Sequence, residues 1–254
     1  MNNNRNSFTD AASAVSAEKR NNHATAVECA DTAHAATCLW GLLLQLMRSP
    51  SFLQRQACLA IRPAPDSLRL KILIAITGAS GSIYAQRLLD NLDPSAHEVH
   101  LVLSRYAQAV ISEELPGGLR VPEGVIQHSL KSMNAPFASG SNPCDAMAIV
   151  PCSMGTLGRI AHGYSDNVLL RAADVTLKEG RKLILVPRET PLNLIHVKNM
   201  ELLLLAGATL IPANPSFYTR PDSIQQLADT VVARILDQMD LPQTLAPRWQ
   251  EEQE

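Results

Sequence analysis

The residues best suited to chemistry stand at the ends of apolar runs. Arg188 and Glu189 follow one such run, and Tyr218 comes soon after another, in Pro215-Ser216-Phe217-Tyr218. An Arg fork suits phosphate, and a carboxyl sheltered from water can move a proton. Two stretches of small residues, Gly78-Ala79-Ser80-Gly81-Ser82 and Ser153-Met154-Gly155-Thr156, each join an apolar run to helix-forming sequence. Such turns let backbone approach a ligand closely, and the new helix offers unpaired N–H groups and the positive end of its dipole to an anion. Either turn taken alone also reads as an ordinary strand-to-helix connection, and the first fails the GxGxxG spacing of a dinucleotide site. Arg171 and Lys178 share a helical face and add positive charge. Ser104 reads as a helix cap or a ligand contact. Cys152 reads as a buried small residue rather than a nucleophile, because no partner His is placed beside it. The seven His are scattered without metal-ligand spacing. The set suits two phosphate-bearing ligands and no metal.

The elements that must hold these residues alternate. Apolar runs without polar alternation cover Lys71–Thr77, Glu98–Ser104, Ala146–Pro151, Lys182–Pro187 and Ala208–Pro212. Strands covered on both faces of a parallel sheet read this way. Helical stretches are predicted over Ser82–Asn91, Arg105–Glu114, Thr156–His162, Asn167–Glu179, Asn193–Ala206 and Ser223–Met239. The pattern predicts a doubly wound, flavodoxin-like or Rossmann-like α/β domain, with helices on both faces and ligands at the carboxyl ends of the strands. Leu115–Ser141, rich in polar residues and punctuated by Gly and Pro, reads as a functional loop.

The domain is expected over residues 68–250. Residues 1–67 read as a disordered or peripheral extension, closed by the breaker Arg62-Pro63-Ala64-Pro65. Its apolar stretch Ala35–Met47 is too short to span a bilayer. An upstream start-site assignment would also explain this segment, with Met47 as the true start. The formal net charge of −2 gives no electrostatic case for nucleic acid or an anionic membrane as partner. Five cysteines without a CxxC pair indicate no disulfide framework, so a reducing, cytoplasmic setting is expected.

Six blocks then carry a family resemblance. TGASGS (Thr77–Ser82), EVHLVLS (Glu98–Ser104), PCSMGTL (Pro151–Leu157), RAADVTLKE (Arg171–Glu179), LVPRETPL (Leu185–Leu192) and PSFYTRP (Pro215–Pro221) resemble UbiX-type flavin prenyltransferases, within the fold of homo-oligomeric flavin-containing decarboxylases. The resemblance runs from about Leu70 to Trp249. It implies transfer of the dimethylallyl group of dimethylallyl phosphate to N5 and C6 of reduced FMN, a co-substrate, without metal. The product, prenylated FMN, would serve a UbiD-type decarboxylase, in ubiquinone biosynthesis or aromatic acid decarboxylation. The resemblance also implies a homo-oligomer, a dodecamer in form.

Residue by residue, it assigns Gly78, Ala79, Ser80, Ser104, Ser153, Met154, Gly155, Thr156 and Arg188 to FMN. Tyr218 and Arg234 go to dimethylallyl phosphate, with Lys178 and Arg171 adding charge. Glu189 and Ser80 would handle protons and the leaving phosphate, and Arg234 would serve a neighbouring subunit. Trp249 matches a C-terminal Trp, and Met133 stands where some members carry a Trp. Two alternatives remain open at this point. One is an FMN-dependent decarboxylase of the phosphopantothenoylcysteine or peptidyl-cysteine type, although Ser104–Glu114 lacks the His such an enzyme would use. The other is a non-catalytic flavin-binding subunit.

Overall fold

The structure, a computed structural model, describes residues 69–246; residues 1–67 and Trp249, for which the sequence raises expectations, lie outside them. Six parallel strands form one sheet: β1 (Lys71–Ile76), β2 (Glu98–Leu103), β3 (Ile126–His128), β4 (Ala146–Cys152), β5 (Lys182–Pro187) and β6 (Thr209–Leu210), in the order β3-β2-β1-β4-β5-β6. The helices are α1 (Ser82–Asp90), α2 (Ala107–Glu114), α3 (Met154–Ala161), α4 (Val168–Lys178), α5 (Leu194–Leu205) and α6 (Ile224–Gln238), with a 3-10 turn at Pro136–Ala138.

The apolar runs become strands because both faces of the sheet are covered, and the period of two divides the core. Ile72, Ile74 and Ile76 of β1 pack with Leu88 and Leu89 of α1 and with Val232, Ile235 and Leu236 of α6. Leu73 and Ala75 face the other way, with Leu157 of α3 and Leu169, Leu170 and Ala173 of α4. The chain winds outward from β1 through β2 to β3, returns to place β4 beside β1, and winds outward again. That reversal lies between β1 and β4. Their carboxyl ends, at Thr77 and Ser153, therefore mark the switch point at which such sheets bind ligands.

Three expectations need correction. The stretch Leu115–Ser141 is not all loop: β3 lies inside it, pairing with β2 from His100↔Ile126 to Val102↔His128. An edge strand of three residues leaves little apolar signature. The last strand is only Thr209–Leu210, although Ile211 and Ala213 continue the ladder by donating to the carbonyls of Leu185 and Pro187. Helix α3 starts at Met154 rather than Thr156, because Ser153 is its cap and accepts the N–H of Thr156 at 3.3 Å.

Helix α5 is apolar nearly all round. Leu194, Ile195, Leu204 and Leu205 are exposed, while Leu203 reaches the core. Phe217, Tyr218 and Ile224 are exposed nearby in sequence. Apolar residues on the outer side of a helix make a surface suited to burial against a partner. Among the described residues, no helix is long and apolar enough to cross a membrane.

Candidate active site

Thr77 joins the two halves of the sheet at the switch point. Its N–H and its hydroxyl both donate to the carbonyl of Pro151, at 3.2 and 2.8 Å, and the hydroxyl accepts the N–H of Ser153 at 2.7 Å. At 1% exposure this hydroxyl is one of the buried polar groups of the domain, and its donor and acceptor roles are both used. The two small-residue turns are thereby fixed side by side. Arg188, just beyond β5, joins them through its N–H to the carbonyl of Cys152 at 3.3 Å.

The second turn is built for an anion. Met154 and Gly155 occupy the first turn of α3, where N–H groups have no intrahelical acceptor. A Cβ placed on Gly155 would meet nothing within 4 Å, so the backbone there opens onto free space that a ligand can enter. The hydroxyls of Ser153 and Thr156, 3.1 Å apart, flank it.

The first turn is different. Gly81 adopts the left-handed conformation at φ 114° as the N-cap of α1, with no side-chain cap of its own. The cap comes from Glu114, the last residue of α2. Its carboxylate accepts the N–H of Gly81 at 2.9 Å and that of Ser82 at 2.7 Å. Burial pushes this carboxyl up, but the Ser80 hydroxyl and the N–H groups of Ser82 and Gly81 outweigh it and hold the group below its ordinary value. The expected phosphate cradle at α1 is thus held by an internal carboxylate. A contact between residues 33 apart, with a common Glu on a helical pattern, left no local signal in the sequence. Gly78 has a separate requirement: a Cβ there would come within 2.5 Å of the Cβ of Tyr106.

Ala79 is buried and Ser80 exposed in the same turn. Ser104 follows β2, and its N–H bonds the carbonyl of Ile76. It does not cap α2, which begins at Ala107 behind Tyr106 without a side-chain cap. Tyr84, which the sequence did not single out, lies against Gly81 and within reach of the Arg188 charge. Its ring lies 2.9 Å from an ideal Gly81 Cβ. Burial raises its phenol and the Arg188 charge partly offsets that rise. Glu189 is exposed in the single chain, not partly buried, and accepts the N–H of Thr190 at 3.1 Å.

The remaining predicted residues do not converge with these within one chain. Lys178 ends α4 four residues before β5 begins, at the amino edge of the sheet, and pairs with Glu179. Arg171 lies about 10 Å up the same helix. It donates to the carbonyl of Ala138 at 3.0 Å and pairs with Asp174 at 2.9 Å. Arg234 is exposed on α6 and pairs with Asp237 at 2.8 Å. Tyr218 is exposed on the loop after β6, a loop tied to α6 where the N–H of Ser216 donates to Thr230. Met133 is exposed beyond β3. Cys152 is buried, and burial pushes its thiol up to about 12, so it carries no thiolate at neutral pH.

Known proteins resemble this chain over the same domain. The family described as Flavoprotein matches residues 62–240. A probable UbiX-like flavin prenyltransferase of Streptomyces sp. (strain D7) is 46% identical over 185 residues, covering 71% of this chain and 92% of that protein. The crystal structure of AnUbiX (PadA1) in complex with FMN and dimethylallyl pyrophosphate superposes with a TM-score of 0.67 at 40% identity, over 73% of this chain and all of that one. A dodecameric FMN-dependent UbiX-like decarboxylase of Escherichia coli O157:H7 gives 0.65 at 39% identity, over 72% of this chain and 100% of its own.

Proposed function

The chain belongs to the flavoprotein family, among its UbiX-like flavin prenyltransferases, and from that premise we propose that it joins the dimethylallyl group of dimethylallyl phosphate to reduced FMN, with release of phosphate. The observation that carries this reading is the pair of turns that Thr77 fixes at the ends of β1 and β4, one open to an anion and the other closed by Glu114.

The open turn fits FMN. Met154, Gly155 and the hydroxyls of Ser153 and Thr156 would take its phosphate, and Gly78, Ala79, Ser80 and Ser104 would line the flavin. Arg188 would meet it from β5, steadied by Tyr84. When bound, reduced FMN supplies the nucleophilic N5 and C6 and a π face on which allylic charge can spread. The chain's own residues do the rest. The exposed Ser80 hydroxyl acts on the Glu114 carboxyl, so it would pass a proton to a carboxylate already held in its ionised form. Glu189 would place a second carboxyl where the leaving phosphate takes up its proton. Tyr218, Arg234, Lys178 and Arg171 would stabilise that departing anion.

That second set is spread over one chain and needs neighbouring copies to close. The exposed apolar residues of α5 give such copies a surface to bury. We therefore read the protein as a homo-oligomer, dodecameric in keeping with the E. coli relative, whose product serves a UbiD-type decarboxylase in a reducing, cytoplasmic setting.

The test is anaerobic incubation with reduced FMN and dimethylallyl phosphate, followed by mass spectrometry of the flavin. The expected result is a flavin heavier by one prenyl group together with free phosphate; a flavin of unchanged mass rejects the reading. In the same assay Glu189→Gln is expected to keep FMN affinity while phosphate release slows by about a hundredfold. A rate equal to the parent protein's would remove Glu189 from the chemistry.

A further inference from the structure

One residue interrupts the apolar run of β2. His100 is 1% exposed in the middle of a strand whose neighbours are Val99, Leu101 and Val102. A buried imidazole needs partners for both ring nitrogens. It has them: Nε2 lies 2.8 Å from Oε1 of Glu98, and Nδ1 lies 2.9 Å from Nε2 of His128 at the end of β3. Phe137 packs edge-on against both rings, with centroids 5.3 and 5.0 Å away.

The donor count fixes the tautomers. A carboxylate only accepts, so Nε2 of His100 carries the hydrogen it gives to Glu98. The Nδ1 of a neutral His100 is then bare and accepts Nε2–H from His128. One nitrogen, Nδ1 of His128, remains to take a first added proton. A second proton would have to enter between the rings, where two N–H groups and two positive charges would face each other at 2.9 Å. The cluster therefore holds together only while it is short of protons.

What the rings hold in place is the segment between β3 and β4. Phe137 belongs to its 3-10 turn, and the next carbonyl, Ala138, accepts Nε of Arg171 at 3.0 Å. Earlier in the segment, Leu130 accepts the N–H of Val168, the first residue of the helix that carries Arg171. We infer that Glu98, His100 and His128 form a proton-sensitive latch that fixes this segment and, through Phe137 and Ala138, positions Arg171 for the prenyl phosphate. The inference rests on the reading of Arg171 given above; His100 and His128 are positioning residues that touch no ligand.

Among the described residues, the charged and titratable groups near the pair are these. Glu98 comes from β2 itself, and Lys71 from β1 lies 4.0 Å from Glu98. Near the start of β4, burial pushes the Cys144 thiol up to about 12, and Asp145 is engaged by the Lys71 N–H and by Arg181. Burial lowers both imidazoles from their ordinary 6.5; Glu98 pulls His100 partly back, and His100 lowers His128 further. The fold thus favours the neutral pair. Its contribution is complete above the ordinary value and is lost as pH falls through the lowered values.

The test uses the full chain and two readouts between about pH 8 and pH 5.5. Hydrogen-exchange protection of the Ala138 and Val168 amides is expected to fall about tenfold on acidification, and the KM for dimethylallyl phosphate to rise by a similar factor, while FMN affinity holds. His128→Gln keeps an N–H donor towards His100 without a titrating ring, and both slopes should flatten; the ligand's own titration is common to the two proteins and cancels. Flat protection in the parent protein, or an unchanged slope in His128→Gln, would overturn the latch. A protein that makes no prenylated flavin at any pH would overturn the prenyltransferase reading instead, and the exchange arm would still decide the latch.

Discussion

Glu114→Gln is expected to lower prenyl transfer by about a hundredfold and also to cost about 1–2 kcal/mol of stability, because one carboxylate does two jobs. It caps α1 by accepting from Gly81 and Ser82, and the exposed Ser80 hydroxyl helps hold it ionised. An amide oxygen can keep part of the cap, but its NH2 would point a donor at other donors and it cannot take up a proton. Ser80→Ala separates the jobs. It leaves the backbone bonds to Glu114 in place, so stability should stay within about 0.5 kcal/mol while turnover falls as in Glu114→Gln. Ser80→Ala at parental turnover would sink the proton route. The acid limb gives an independent check. The folded Glu114 carboxyl lies below its ordinary 4.5. Its contribution is therefore full above that value and is lost as pH falls through the folded one, so Glu114→Gln should flatten the stability profile there. Thermal unfolding at fixed protomer concentration reads this directly.

The strands that flank the crevice were legible because burial on both faces leaves no room for alternation: Ile72 to Ile76 and Ala146 to Cys152 are apolar or small throughout. The turns after them were legible for the same reason, since Gly, Ser and Thr stand out against such runs. What the sequence could not carry was distance in space. Arg171 and Lys178 do share a helical face, yet an i, i+7 spacing does not say which end of the sheet it faces, and α4 points Lys178 to the amino edge. Glu114 ends a helix with no local mark, and only the fold brings it to Gly81. His100 lies inside a correctly placed strand, but its partner lies on an edge strand hidden in Leu115–Ser141, so nothing local marks the contact. Local pattern fixed the elements, and long-range pairing fixed which of their residues meet.

A long-range pair also gives the largest stability effect. Arg87 of α1 donates Nε and Nη2 to the two carboxylate oxygens of Asp229 on α6, at 2.7 and 2.8 Å. The Arg side chain is 26% exposed and the Asp 9%. The fork raises the guanidinium, chiefly through the hydrogen bond to Asp229. Arg87→Ala would strand a nearly buried carboxylate and should cost about 4 kcal/mol. Asp229→Ala leaves a cation that still has Asp90 at 3.7 Å and some water, so about 3 kcal/mol is expected. Replacing both with packed apolar residues, Arg87→Met with Asp229→Leu, should recover most of the loss, because the desolvation of two charges disappears with their attraction. Additive single effects in this double variant would show that the pair is not coupled. The consequence extends to the site, since α6 carries Arg234 and Thr230 anchors the Tyr218 loop. If the fork sets the seat of that helix, the single variants should raise the KM for dimethylallyl phosphate more than they weaken FMN, whose proposed contacts follow β1, β2, β4 and β5. The recovered double variant should restore stability before it restores that KM, because apolar packing replaces the energy of the fork but not its directional geometry.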